Sequence, residues 1–240
     1  MFDFTNLDYI KNWDNLYYYN QDLINIIIAE RNLIKNSEEY INNLDTELKD
    51  KISNDPELQF EPSNEQEGSF QSQYFMHYYA DSEIIINRIK QSQRKASILS
   101  IFSLVEGQLK LLTGLIENEF DLKLKIKHLN GNDYIHKYWI YLTKVFELEY
   151  IEIEREYNLI NQQKYIRNKI AHRNSEIEES KLEFIRQISG LGVKTFGTEY
   201  FLEINNIVYL KELLDTIDSF FEKLSLSIDK RYKELKENVG

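Results

Sequence analysis

Apolar residues recur along most of this chain at three- and four-residue steps, the spacing of one face of an α-helix. Leu16, Leu23, Ile27, Leu33 or Ile34, Ile41, Leu44, Leu48 and Ile52 follow that spacing, with acidic, Asn and Lys positions between them. They predict one or two helices that begin at a cap on Thr5 or Asn6 and end before Pro56. Residues 73–120 predict a second long helical stretch, with a break near 91–95. Its second half is the most hydrophobic part of the chain. Ile98, Ile101, Phe102, Val105, Leu109, Leu112 and Ile116 share one face there, and Leu99, Leu104, Leu111 and Leu115 widen it. A helix apolar over so much of its circumference belongs in the middle of a bundle. Glu106 stands at the edge of that face beside Gly107, where a carboxylate is costly unless paired or hydrated, so it requires a partner.

Between these stretches, residues 55–72 hold both prolines, Gly68 and many Ser, Asn, Gln and Glu, the composition of a linker or loop. After a connection around Gly131, Asp133 is placed to cap a helix through Trp139 and Phe146, and another helix is predicted over 152–173, stopped by Asn174 and Ser175. A short helix over 180–188 follows, then two strands over 193–196 and 200–204 joined by Gly197 and Thr198. The last helix starts near Asn205 or Asn206 and carries the stripe Leu210, Leu213, Leu214, Ile217, Phe220, Phe221, Leu224 and Ile228. The pattern predicts an all-α helical bundle with a small β-hairpin inserted before the C-terminal helix. The expected organisation is an acidic helical extension (1–54), a flexible linker (55–72) and a helical domain (73–240).

Composition narrows the chemistry. The absence of Cys excludes thiol catalysis and Cys-ligated metal centres and suits a reducing, cytoplasmic compartment. Aliphatic runs such as Ile26-Ile27-Ile28-Ala29 are far shorter than the roughly 20 residues of a membrane span. The start Met1-Phe2-Asp3-Phe4 carries acid where a secretory signal needs base, so no membrane partner is expected. Net charge is −11, but it is uneven. Residues 1–72 contain five Lys/Arg against fifteen Asp/Glu, and residues 73–240 contain 24 against 25. The C-terminal two thirds is therefore nearly neutral, and an acidic whole does not exclude a local nucleic-acid site.

One segment departs from the rest. From Tyr157 to Ser175 there is no Asp or Glu, while Lys164, Arg167, Lys169 and Arg173 are basic. On a helical wheel Leu159, Ile166 and Ile170 define one side, which reads as the core face. Opposite fall Tyr157, Asn161, Lys164, Tyr165, Asn168 and His172, an outward strip for RNA binding or dimerisation that Lys169 and Arg173 extend. Asn168 precedes His172 by four residues, so its amide is placed to orient the imidazole. Arg167 and His172 are five residues apart, about 140° around and roughly 7.5 Å along an ideal helix. They do not converge within one helix, but a two-fold dimer would bring two Arg and two His into one groove.

The run Arg167-Asn168-Lys169-Ile170-Ala171-His172 follows a helix containing Ser-Ile-Phe-Ser-Leu-Val-Glu-Gly-Gln-Leu (100–109) and precedes a long C-terminal helix. In this it resembles the HEPN superfamily, whose motif is Arg, four to six residues, then His, often with a polar residue directly after the Arg. The resemblance covers about residues 95–230. It implies a metal-independent endoribonuclease without cofactor that works as a homodimer. Arg167 and His172 would be catalytic, with Asn168 and Glu106 in support, in a toxin–antitoxin or phage-defence setting with an antitoxin or defence partner. The alternative it allows is a catalytically silent binding or dimerisation module. The residue chemistry fits the first reading: His serves as acid or base near neutral pH, and Arg matches phosphate oxygens with a planar fork.

The remaining histidines invite less. His77 lies among Tyr74, Phe75, Tyr78 and Tyr79 and reads as packing, and His128 and His136 have no ligand-like spacing, so no metal is expected. The acidic N-terminal third has two readings, an electrostatic lid over the basic strip or a solvated helical arm.

Overall fold

A computed structural model describes residues 10–120 and 122–237, so the predicted cap at Thr5 or Asn6 lies outside the described residues. The fold is mostly helical. Its helices are α1 (Asp14–Ser53), α2 (Glu65–Tyr78), α3 (Ala80–Glu119), α4 (Tyr134–Ile140), α5 (Glu154–His172), α6 (Leu182–Arg186) and α7 (Val208–Glu237). Strands β1 (Glu176–Ile177), β2 (Leu191–Phe196) and β3 (Glu199–Ile204) form one antiparallel sheet in the order β1-β3-β2. The expected hairpin is thus present with a third strand on its edge.

The chain forms two compact units. Residues up to Arg31, together with those from Ile98 onward, make the first, and Asn32–Ser97 makes the second. The division expected from composition, at 55–72, is therefore not the one the structure has. The boundary falls within α1 and α3, and the reason lies in the first turns of α1. Their apolar residues Trp13, Leu16, Tyr19, Leu23 and Ile27 are all at most 7% exposed. Asp229 of α7 accepts hydrogen bonds from the backbone N–H groups of Lys11 (3.1 Å), Asn12 (3.0 Å) and Trp13 (3.1 Å), capping α1 from another helix. Trp13 stacks on Tyr232 at 5.1 Å, Asn20 accepts from the Ser225 hydroxyl at 2.9 Å, and Arg31 pairs with Asp215 and Asp218. The N-terminal turns belong to the first unit's core and are no appended arm.

Segment 55–72 is also more structured than a linker. Pro56–Leu58 is a 3₁₀ turn capped by Asp55, and α2 begins at Glu65 behind an Asn64 cap that accepts from the N–H groups of Gln66 and Glu67. The helix break falls at Tyr79, between α2 and α3, and not at 91–95. Within the second unit, Ile34, Ile41 and Leu48 are buried, and the buried Arg94 forms an ion pair with Glu38.

The two strongest apolar stripes are where they were expected. On α3, Ile98, Ile101, Phe102, Val105, Leu109, Leu112 and Ile116 are at most 1% exposed, although Leu111 is 58% exposed. All eight stripe residues of α7 are buried. By length and composition alone α3 holds a window apolar enough to cross a membrane, and 44% of that window is buried.

Candidate nucleic-acid site on the fifth helix

Helix α5 lies within the first unit and is held along its length by polar as well as apolar contacts. Glu156, only 6% exposed, takes Lys223 of α7 at 2.8 Å, and the Tyr209 hydroxyl of α7 donates to Gln163 at 3.0 Å. Tyr157 stacks flat on Trp139 of α4, ring centres 4.1 Å apart, and its hydroxyl lies 2.7 Å from Nδ1 of His136. Burial pushes the Tyr157 hydroxyl up to about 12. The buried residues of α5 are Glu156, Tyr157, Ile160 and Ile166, whereas Leu159 is 37% exposed. The buried face is thus rotated by roughly a quarter turn from the Leu159–Ile166–Ile170 side read off the wheel. Tyr157, expected on the outward strip, is core. The cause is the helix's own composition: polar Glu156 and Gln163 face α7, so apolar positions alone misplace the buried side.

That rotation puts Arg167 toward the interior. Its side chain is 27% exposed, and Nη2 donates to Oε1 of Glu106 at 3.3 Å, while Nη1 donates to Oδ1 of Asn168 at 3.0 Å. Glu106 has the partner that its position on α3 required. Asn168 orients the guanidinium, not the imidazole of His172 as the i, i+4 spacing suggests. His172 itself is exposed at the last residue of α5, with no hydrogen bond or ion pair among the described residues. The helix ends there because Asn174 and Ser175 both take left-handed backbone, φ 48° and 70°. Asn tolerates that region better than Ser does. Ser175 is 2% exposed, its N–H donates to the Lys169 carbonyl at 2.9 Å, and its carbonyl accepts from Leu202 of β3 at 2.8 Å.

This reversal runs the chain back alongside α5 and delivers an acid that the sequence window from 157 to 175 does not contain. Glu178, just past β1, pairs with Lys169 and accepts the Tyr165 hydroxyl at 2.6 Å. Lys169 and Tyr165 together hold its carboxyl at about 2, far below the ordinary range. The Tyr165 ring is flanked by the ammonium groups of Lys169 (5.4 Å) and Lys181 (5.6 Å) and meets Phe184 edge-on at 6.1 Å, so its packing is internal. Lys164 pairs with Asp133, the cap of α4, and donates to Asn161 at 2.8 Å. Burial alone would raise the Asp133 carboxyl, but Lys164 and the N–H of His136 hold it lowered. Lys164, Arg167 and Lys169 each have an acidic partner on another element, none of them from residues 1–72. Arg173 is exposed and without an ion pair among the described residues.

The expected site residues thus separate into three groups. Arg167, Asn168 and Glu106 form one hydrogen-bonded cluster. Lys164 with Asn161, and Lys169 with Tyr165, are neutralised by Asp133, read from the sequence only as a helix cap, and by Glu178, which sequence reasoning missed. His172 and Arg173, at the C-terminal end of α5, have no side-chain partner among the described residues. Of the other histidines, His128 accepts the Lys125 N–H at 3.1 Å and His77 meets Tyr78 edge-on, and no group of three or more His, Asp or Glu among the described residues is placed to hold a metal. Compared with known proteins, the chain matches no family model, and no curated protein or solved structure is similar enough to count as a relative.

Proposed function

We propose that the chain is an RNA-cleaving enzyme of the HEPN type, a metal-independent endoribonuclease whose site is completed by a second copy. The observation that carries the reading is the contrast within one motif: Arg167 is fixed by Glu106 and Asn168, while His172 is exposed and unengaged. A transesterification needs such a division. A base removes the proton from the ribose 2′-hydroxyl, the 2′-oxygen bonds to the adjacent phosphorus, the bond from phosphorus to the 5′-oxygen breaks, and an acid protonates that oxygen. The products are a 2′,3′-cyclic phosphate and a 5′-hydroxyl. A single His cannot be both base and acid in one step, so two copies of His172 supply the pair, and Arg167 takes the charge that builds on the phosphoryl oxygens. A toxin or phage-defence setting, with an antitoxin or other defence protein as partner, goes with that activity.

A second reading has an observation of its own. Three of the four cations between residues 157 and 175 are already neutralised within the protomer, which favours a silent binding or dimerisation module over an RNA site. One experiment separates the two: labelled single-stranded RNA with wild type, His172→Ala and Arg167→Ala in excess EDTA, with end mapping. The enzyme reading expects cyclic-phosphate ends and a loss of at least roughly a hundredfold in both variants, the scale of general acid–base catalysis. An unchanged rate in His172→Ala, or no cleavage by a wild type that self-associates, overturns it.

A further inference from the structure

The second unit has a feature that the α5 site does not involve. Between Lys51 and Arg88 there is no Lys or Arg, while Asp55, Glu57, Glu61, Glu65, Glu67, Asp81 and Glu83 are acidic. Two of these are engaged internally. Asp55 accepts the hydroxyls of Tyr74 (3.1 Å) and Tyr79 (2.5 Å), and Glu67 accepts from Ser63. The side chains of Glu57, Glu61, Glu65, Asp81 and Glu83 are exposed and make no ion pair among the described residues.

The same region is unusually apolar for an exposed surface. No residue of α2 is buried, yet the helix carries Phe70, Tyr74, Phe75, Met76 and Tyr78. Met76 is 66%, Tyr78 57% and Phe70 53% exposed. A groove of about 470 Å³ runs between α2 and the segment before it, lined by Ile52, Leu58, Phe75 and Met76 together with the polar Gln71 and Ser72. Its wall is fixed: the Gln71 side chain donates to the carbonyls of Leu58 (3.1 Å) and Phe60 (3.0 Å). Glu57 and Glu61 flank that wall in sequence.

We propose that this groove is a docking site for a basic, amphipathic segment of a partner protein, one or two large apolar side chains entering the groove and flanking Lys or Arg meeting Glu57, Glu61 and Glu65. The occupant follows from complementarity. The Ile52, Leu58 and Phe75 side chains with the adaptable Met76 offer a hydrophobic anchor its contacts. The exposed carboxylates that flank the groove wall in sequence attract cations and disfavour nucleic acid and anionic lipid, and no Lys or Arg between Lys51 and Arg88 offsets them. The inference does not depend on the ribonuclease reading, since none of these residues belongs to the α5 site.

The test uses the full chain and three synthetic peptides of equal length: Leu/Lys amphipathic, the same with Glu for Lys, and the same with Ser for Leu. Binding is read by fluorescence anisotropy at two salt concentrations. The Leu/Lys peptide should bind at least roughly tenfold tighter than the other two. Leu58→Ser/Met76→Ser, which alters no charge, should weaken it by roughly tenfold, and Glu57→Gln/Glu61→Gln should weaken it less but flatten the salt dependence. Met76 is largely exposed, so the groove variant is expected to fold, which far-UV circular dichroism checks; Met76→Ser alone serves if the double variant does not. Equal binding of the Ser/Lys peptide, or no effect of the groove substitutions, overturns the proposal. So does sedimentation showing that they dissolve a homodimer, because the occupant is then a second copy.

Discussion

Deleting residues 1–72 tests the structure's least expected assignment, that the start of α1 is part of the first unit's core. Composition alone suggests that the remaining 73–240 fragment folds by itself. The structure argues otherwise, because Trp13, Leu16, Tyr19, Leu23 and Ile27 are all at most 7% exposed against that core. Burying one large apolar side chain contributes about 1.5–3 kcal/mol, so five of them contribute on the order of 10 kcal/mol. A typical domain's whole stability is about 5–15 kcal/mol. The deletion also removes the three backbone N–H donors that Asp229 accepts from and uncovers the stripe of α7 to water. Since α7 also holds α5 through Lys223 and Tyr209, the damage reaches the candidate site. The fragment should therefore lack a cooperative urea transition and lose near-ultraviolet dichroism, while the full chain keeps both. A fragment with a sharp transition near the full-length midpoint would refute the reasoning and restore the extension-plus-domain organisation.

Other predictions follow from single side chains. Asp229→Ala should cost about 3 kcal/mol, more than the ~1 kcal/mol of an ordinary exposed helix cap, because the bonds are charge-assisted and the one to Trp13 is buried; urea unfolding followed by Trp fluorescence measures it. Glu178→Gln releases Lys169 and Tyr165 and should raise affinity for single-stranded RNA roughly two- to fivefold at low salt, by filter binding. Because folding depresses the Glu178 carboxyl to about 2, its contribution to stability is full above the ordinary carboxylate range and is lost as pH falls from about 4.5 toward 2. The stability gap between wild type and Glu178→Gln should therefore close over that interval in pH-dependent denaturation. A double-mutant cycle on Glu106→Gln and Arg167→Gln should give a coupling of about 0.5–1 kcal/mol, the range for a partly exposed pair at 3.3 Å.

Much of the helical framework is legible in the sequence because its signals are local. The stripes of α3 and α7 repeat with helical period, Asp133 caps α4, and Asn174 with Ser175 ends α5. The need of Glu106 for a partner is equally local, since a carboxylate at the rim of an apolar face is costly unless paired. What stays illegible depends on contacts far apart in sequence. The start of α1 is drawn into the core by Asp229, more than two hundred residues away. β1 is two residues long, too short for any alternation to register, and exists because Ser175 turns the chain onto β3. The facing of α5 escapes a wheel of apolar positions because Glu156 and Gln163, polar by type, are the residues it presents to α7.

The charge of α5 shows most clearly how a local reading and a folded one diverge. An acid-free window of nineteen residues from 157 to 175 suggests a basic face, yet three of its four cations are answered by Asp133, Glu106 and Glu178 from other elements. A phosphate approaching this window must therefore compete with carboxylates already within ion-pairing distance, and among the described residues only Arg173 and His172 of the window meet it unpaired. In a homodimeric enzyme the second protomer would have to bring its own His172 and Arg173 to the same phosphate, doubling the unpaired cationic groups where one protomer has too few. Binding by the separated protomer should accordingly be weak and only shallowly salt-dependent, since few counterions are released, and for the proposed ribonuclease cleavage should rise with the square of protein concentration below the dimer dissociation constant. First-order dependence on concentration throughout that range would show that α5 of one chain suffices.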